Sequence, residues 1–279
     1  KMIAAIVVLY NPTLDEIKHI TDYYCLVDET IVLDNSDEDQ FVRIEKVIGD
    51  SKNLIYKWFG KNVGLCVALN AGMRIAKERG YKWSLLMDSD SSFITDIISV
   101  YKRFLSKNRD NDIAVLSPVH IHDRSYEREF SGTKLVKWAM TSGCLYNIDI
   151  FNKIGRFKEE LFVDGLDIDY CYKARKNGYK VIEIADAKLQ HYPGKTQSVY
   201  LFGKKINYGI ASPDRYYMQS RAIVWLILKY HCINDIIRYM SKWGKVILLF
   251  KDKKNYMTCM LKGSKQGFLL WKNSMKCEK

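Results

Sequence analysis

Tyr81-Lys82-Trp83-Ser84-Leu85-Leu86-Met87-Asp88-Ser89-Asp90 is an apolar run that stops abruptly on two carboxylates. Tyr81–Met87 is too short for a typical helix and reads as a strand covered on both faces. The same pattern recurs on either side of it. Ile3–Leu9 is a continuous β-branched run closed by Tyr10-Asn11-Pro12, Thr30–Leu33 is closed by Asp34-Asn35-Ser36, and Leu54–Phe59 and Ile113–Pro118 are further strands. Helical patterns lie between them. Thr13-Leu14-Asp15-Glu16 has capping-box spacing with Leu14, Ile17 and Ile20 on one face. Gly64–Arg79 turns Leu65, Leu69, Met73 and Ala76 inward, and Asp96–Lys107 follows Thr95 as its expected cap. This alternation builds right-handed βαβ units, so the first half is expected to be a doubly wound α/β domain with a mostly parallel sheet.

The second half is less regular. Lys134–Met140 and Tyr179–Ile184 are expected as strands, and Asp149–Ile154, Ile168–Asn177, Asp214–Leu228 and Ile233–Phe250 as helices. The chain has 279 residues, 48% apolar, which suffices for a sizeable core and excludes a disordered or collagen-like protein. Seven cysteines without a C-x-x-C pair argue against a zinc ribbon and for reduced core thiols in a cytoplasm. The longest apolar stretch, Ala222–Leu228, falls far short of the roughly twenty residues a membrane span needs. Lys1 and Met2 precede a strand rather than a signal peptide, so the protein is expected to stay in the cytoplasm.

Ligands of such sheets bind beyond the carboxyl ends of the strands, which singles out Tyr10-Asn11, Asp34 and Asp88-Ser89-Asp90. Asp88 and Asp90, at i and i+2 of an extended segment, point to one side and suit a hard divalent cation. Asp-x-Asp also occurs at Asp37/Asp39, Asp110/Asp112 and Asp167/Asp169, but only the 88/90 copy follows a buried strand at the binding edge. Asp34 is placed to accept from the imide N–H of a uracil or thymine ring; an Asx turn is the competing role. Asn62-Val63-Gly64 and Asn70-Ala71-Gly72 put Asn and Gly where backbone can approach a ligand, turn chemistry being the alternative. Asp164, Asp167 and Asp169 lie within six residues at the start of a helix, where the first two fall on one side and either suits a general base, with capping as the competing role for Asp164. His191 closes another short strand, and Arg215 and Arg221, with Tyr216, Tyr217 and Gln219 between, form a cationic and aromatic cluster able to clamp a diphosphate or to line a solvated helix face.

In this order the motifs resemble family 2 glycosyltransferases of the GT-A fold. Residues 3 to about 225 carry the likeness, from Val7-Val8-Leu9-Tyr10-Asn11-Pro12 through Asp88-Ser89-Asp90, Ser142-Gly143, Ile154-Gly155-Arg156-Phe157 and the Asp164–Arg175 stretch to His191 and Gly194. The run Phe162-Val163-Asp164 with Asp167, Asp169-Tyr170-Cys171 and Arg175 is similar to the bacterial rhamnosyltransferase branch, although Leu166-Asp167 stands where many members have Glu-Asp. The resemblance implies a Rossmann-like nucleotide-binding half at 1–118, an acceptor and catalytic half at 119–230, and a basic helical extension at 231–279. It implies Mn²⁺ or Mg²⁺ on Asp88 and Asp90 with His191 completing the site. It places a nucleotide sugar among Tyr10, Asn11, Asp34, Asn62, Gly64, Asn70, Asp88, Ser89 and Arg221, and gives Asp167, or else Asp164, the task of deprotonating an acceptor hydroxyl in an inverting displacement. Asp123–Glu129 and Thr141-Ser142-Gly143 are candidate acceptor-side segments.

The implied donor is dTDP-L-rhamnose, with UDP-galactose, its furanose form or another UDP-sugar as alternatives; the implied acceptor is a lipid-linked surface polysaccharide such as O-antigen or capsule. A sugar nucleotidyltransferase is disfavoured because Tyr10-Asn11-Pro12-Thr13 lacks a Gly-rich basic loop. Net charge is +12, and residues 238–279 carry +9 of it, from Arg238 and ten Lys against Asp252 and Glu278. Interleaved with Trp243, Leu248, Phe250, Phe268 and Trp271, those lysines suit an anionic membrane surface, the inner face of the cell membrane, or else helices packed on the domain. Nucleic acid is not expected, since recognisable binding motifs are missing and aspartates crowd the strand ends.

Overall fold

A computed structural model describes residues 2–49, 52–108, 111–122, 130–191, 194–201 and 204–277; the expected acceptor loop 123–129 lies outside them. In chain order the elements are β1 (Ile3–Leu9), α1 (Leu14–Lys18), α2 (Thr21–Tyr24), β2 (Glu29–Asp34), α3 (Phe41–Ile48), β3 (Leu54–Trp58), α4 (Leu65–Glu78), β4 (Trp83–Asp88), β5 (Ser91–Phe93), α5 (Ile97–Lys107) and β6 (Ile113–Ile121). They continue with β7 (Thr133–Leu135), β8 (Cys144–Asn147), α6 (Ile148–Ile154), α7 (Leu166–Lys176), β9 (Lys180–His191), β10 (Lys195–Leu201), β11 (Lys204–Ile210), α8 (Pro213–Tyr230), α9 (Ile233–Leu249) and α10 (Lys253–Cys277). The chain divides into two compact units, residues 1–162 with 170–193, and residues 163–169 with 194–279.

The first unit is built on a sheet of order β3-β2-β1-β4-β8-β6-β9-β5, with β7 added on β9. β1 sits centrally because Ile3, Ala4, Ala5, Ile6, Val7 and Leu9 have no polar group to expose, and all are fully buried. It pairs in parallel with both β2 and β4, in a register that sets Leu9 beside Asp34 and Val8 beside Asp88. The polar ends of three strands thus share one edge. Gly72 on α4 lets that helix lie against the sheet, since a Cβ there would meet Ile6 and Leu33 side chains at 2.7 and 2.8 Å.

Several expectations are corrected in detail. Asp96, not Thr95, caps α5 by accepting from the Ser99 N–H, while the Thr95 hydroxyl donates to the Asp186 carbonyl. Lys134–Met140 yields only the short β7, and β8 enters antiparallel to β4, four residues being too few to show a period. Cys66, Cys144 and Cys171 are core thiols, but Cys25 is exposed and Cys232 and Cys259 are partly so.

The second unit joins the antiparallel hairpin β10–β11 to α8, α9 and α10. Tyr216, Val246, Phe250 and Met260 form its buried cluster, with the Phe250 and Tyr256 rings edge-on at 4.6 Å. α10 lies on α8 through Gly263 and Gly267, where an added Cβ would stand 2.2 Å from the Tyr217 carbonyl oxygen and 2.3 Å from that of Arg221. The two glycines are one helical turn apart and admit backbone-to-backbone contact.

Gly244 in α9 has open space where its Cβ would be. Gly244→Ala is therefore expected to raise stability by about 0.5–1 kcal/mol, whereas Gly263→Ala and Gly267→Ala should each lower it by about 1–3 kcal/mol despite the same gain in helix propensity. Urea unfolding midpoints at constant m-value separate the two signs.

Candidate active site

Sheet register assembles in the first unit a cluster of side chains able to hold a metal ion. β5 pairs antiparallel with β9 so that Ser91 faces His191, immediately after the carboxylates that close β4. Ligand atoms of Asp88, Asp90 and His191 all lie within 4.8 Å of one another. Asp90 Oδ1 is 3.4 Å from His191 Nδ1. Two carboxylate oxygens and an imidazole nitrogen are a donor set that fits a divalent cation. Of the expected metal ligands, all three are brought together.

A chain of hydroxyls backs this cluster. The Asp88 N–H donates to Ser142 Oγ at 3.0 Å, Ser142 donates to Ser91 Oγ at 2.8 Å, and Ser91 Oγ is 2.8 Å from His191 Nδ1. Ser91 and Ser142 are fully buried. His120 Nε2 lies 2.6 Å from the Ser142 carbonyl oxygen, which can only accept. Burial pushes His120 down to about 4, so this ring is neutral and donates from Nε2. Sequence reading flagged Ser142 only as an acceptor-side residue and did not find Ser91; the hydroxyls flanking the Asp-x-Asp were the signal.

The other expected donor ligands divide into exposed and committed groups. Tyr10, 54% exposed, leaves an aromatic face free at the sheet edge. Asn11 takes a positive φ of 45°, receives the Asp37 N–H and donates its amide to Asp37, tying the loop after β1 to the loop after β2. Asp34 is fully buried; Oδ1 accepts from the Ser36 N–H, and Oδ2 lies 2.5 Å from the Tyr56 hydroxyl. Oδ2 also accepts the Gln40 N–H at 3.1 Å, so both oxygens of Asp34 are engaged within the protein. Asn62 accepts from the Gly64 N–H, holding the positive-φ turn that starts α4, and the Phe162 ring stands where a Gly64 Cβ would be. Asn70 is buried and both ends of its amide bond the Phe157 peptide, at 2.9 and 3.1 Å, which is a packing task. Ser89 offers its carbonyl to His19 Nδ1, 2.8 Å away.

In the second unit Asp164 pairs with Arg215 of α8 at 3.1 Å, and its Oδ2 has no hydrogen-bond partner among the described residues. Burial raises Asp164, while Arg215, Lys242 and Arg221 pull it back down. Asp167, in the first turn of α7, accepts the Ile168 N–H at 2.8 Å. Desolvation, reinforced by the negative charge of Asp164 and opposed by Arg238, pushes Asp167 up to about 6. Asp169, by contrast, is buried against Lys229 and Tyr230 at 3.0 and 2.6 Å and is occupied structurally. Arg221 stacks over the Tyr217 ring at 5.9 Å. Arg238 and Lys242 of α9 were read from sequence as part of a basic tail. They turn inward instead, Arg238 to buried Asp235 at 3.2 Å and Lys242 to Gln219 at 2.7 Å, and the i,i+3 spacing of Asp235 and Arg238 was the available signal.

The profile of Glycosyl transferase family 2 matches residues 6–172. This chain belongs to that family. It is a glycosyltransferase, 29% identical over 287 residues to dTDP-rhamnosyl transferase RfbF of Shigella flexneri, a match that covers 91% of each chain. Its GT-A fold is shared with S. aureus TarS 1–349, at TM-score 0.60 and 17% identity over 96% of this chain and 81% of that one. GalNAc-T7, solved with UDP, GalNAc and Mn²⁺, gives TM-score 0.62 and 12% identity over 95% of this chain, which spans 55% of that longer protein. No described helix is long and apolar enough to cross a membrane.

Ser142→Ala removes the acceptor of the Asp88 N–H and the donor to Ser91, and is expected to weaken Mn²⁺ binding about 10-fold to 100-fold, with Asp90→Ala weaker still. Titration of free Mn²⁺ by electron paramagnetic resonance checks this; wild-type affinity in both variants would remove the metal site.

Proposed function

We propose that this glycosyltransferase is inverting and divalent-metal-dependent, and transfers L-rhamnose from dTDP-L-rhamnose to a hydroxyl of a growing, lipid-linked bacterial surface polysaccharide, working at the inner face of the cell membrane. The convergence of Asp88, Asp90 and His191 beyond the carboxyl ends of the parallel strands β1 and β4, in a family 2 chain, carries the reading. The rhamnosyl likeness of RfbF supports the donor. Mn²⁺ suits the mixed oxygen and imidazole donors better than Mg²⁺, which prefers an all-oxygen shell. When bound, the ion supplies Lewis-acid stabilisation to the departing diphosphate.

The remaining steps fall to side chains of this chain. Tyr10 offers its exposed ring for stacking on the base, and Asn11 and Asn62 hold the loops that frame the nucleotide. Asp167 takes the proton of the acceptor hydroxyl as its oxygen attacks the anomeric carbon, while the bond to the diphosphate breaks on the opposite face. A single base suffices for this displacement. Its raised pKa keeps the carboxylate basic enough to remove a proton yet ionised at neutral pH. Asp164 holds Arg215, and Arg221 adds positive charge for the leaving nucleoside diphosphate.

Asp167→Asn should lower transfer about 10²-fold to 10⁴-fold while dTDP binding stays at the wild-type level, because the amide cannot accept a proton. In the wild type the rate should rise with pH through about 6 and then level off, following ionisation of Asp167. Asp164→Asn removes a neighbouring negative charge and should shift that rise to lower pH; loss of transfer in Asp164→Asn with retention in Asp167→Asn assigns the base to Asp164 instead. Nucleoside diphosphate release with Mn²⁺ across dTDP-L-rhamnose, UDP-galactose and UDP-galactofuranose decides the donor.

A further inference from the structure

The outer face of α9 is apolar where a surface helix is ordinarily polar. Ile233, Ile236, Ile237, Met240, Ile247 and Leu248 fall, with Gly244, inside an arc of about 120° on a helical projection. All six are exposed, Ile233 at 63%, Met240 at 62% and Leu248 at 76%. The helix's basic side chains are on its other side: Arg238 meets Asp235, Lys242 meets Gln219, and Lys245 donates to the Gly209 carbonyl at 2.8 Å. No charged residue stands on the exposed positions of α9. An apolar stripe of this length, left open on a helix whose charges are used internally, marks an interaction surface.

The chain that follows names its partner. Directly after the stripe come exposed Lys251, Lys253 and Lys254. α10 then has no Asp or Glu, and it presents Lys262, Lys265 and Lys272 beside exposed Leu261, Phe268 and Leu269. Its inner side is fixed to α8 by Gly263 and Gly267, so this mixture stays outward. Apolar residues interleaved with lysines, with Asp252 the one acid between Lys251 and Cys277, complement a surface that is hydrocarbon below and anionic above.

We propose that the outer faces of α9 and α10 dock on an anionic lipid bilayer, the α9 stripe entering the acyl boundary and the α10 lysines lying on the headgroup phosphates. The proposal deepens the reading of a lipid-linked acceptor and rests on it, but its test is made without donor or acceptor, so that either can fail alone. The full chain should co-sediment with phosphatidylcholine vesicles containing about a quarter phosphatidylglycerol, and only weakly with pure phosphatidylcholine. Ile237→Gln with Leu248→Gln should weaken vesicle binding about tenfold or more, and Lys254→Gln, Lys265→Gln and Lys272→Gln about fivefold for each lysine lost, with a flatter salt dependence. Mn²⁺ affinity should stay at the wild-type value in every one of these variants. Absence of vesicle binding, or equal binding by wild type and the Ile237/Leu248 variant, overturns the proposal. A concentration-dependent dimer dissolved by the same two substitutions also overturns it, and gives the stripe to a second copy of the chain.

Discussion

Parallel strand pairing is the constraint from which the chemistry of the first unit follows. In a parallel pair both strands end at the same edge, so the register of β1 with β2 and β4 delivers Tyr10, Asp34 and Asp88 together without any side chain having to seek another. The turn after Asp88 then reverses the chain into β5, whose antiparallel partner β9 ends on His191. A histidine about a hundred residues away in sequence thereby meets the Asp-x-Asp. A shift of one residue in either pairing would turn every side chain to the opposite face of the sheet and dismantle the cluster. The buried Ser91 and Ser142 hydroxyls serve that register, because they bond the Asp88 N–H, each other and the His191 ring.

The second unit relies on a different balance. Asp164 and Asp167 are enclosed, which disfavours their charged forms, and the cations near them offset this unequally. Arg215 contacts Asp164 directly, whereas Asp167 has only a backbone N–H and the field of Arg238. One carboxylate is therefore committed to an ion pair and the other is not. Two aspartates of the same type, three residues apart, thus sit in different surroundings, the kind of difference by which carboxylates are given different roles at neutral pH.

Much of this arrangement was legible because it follows short-range rules. The β-branched run at Ile3–Leu9, the capping box at Thr13 and the inward stripe of α4 are local patterns, and the structure keeps them within a residue or two of their expected bounds, although Leu65 is only partly buried and Leu14 is exposed. The Asp-x-Asp was separable from three other copies by its position after a buried strand. What was not legible depended on partners distant in sequence. Nothing in residues 144–147 or 195–210 announces a pairing mate, so β8 and the β10–β11 hairpin were not read. Asn70 and Asp34 have the composition of ligands, but their bonds to Phe157 and Tyr56 arise only once loops from elsewhere arrive. Net charge misled in a specific way, since Arg238, Lys242 and Lys245 count toward a basic tail although the fold spends them inside the second unit.

That spending explains why the C-terminal helices are more than an appendage. Gly263 and Gly267 bring α10 onto the backbone of α8 at Tyr217 and Arg221, and α9 sends Arg238 and Lys242 toward the aspartates. Glycine at those two positions leaves no side chain to cushion a shift, so displacement of α10 is felt directly by the helix that carries Arg215 and Arg221. Docking of the outer faces of α9 and α10 on a bilayer, as proposed, would load the helices that pack on α8 and place Arg238 and Lys242 in the field of Asp164 and Asp167.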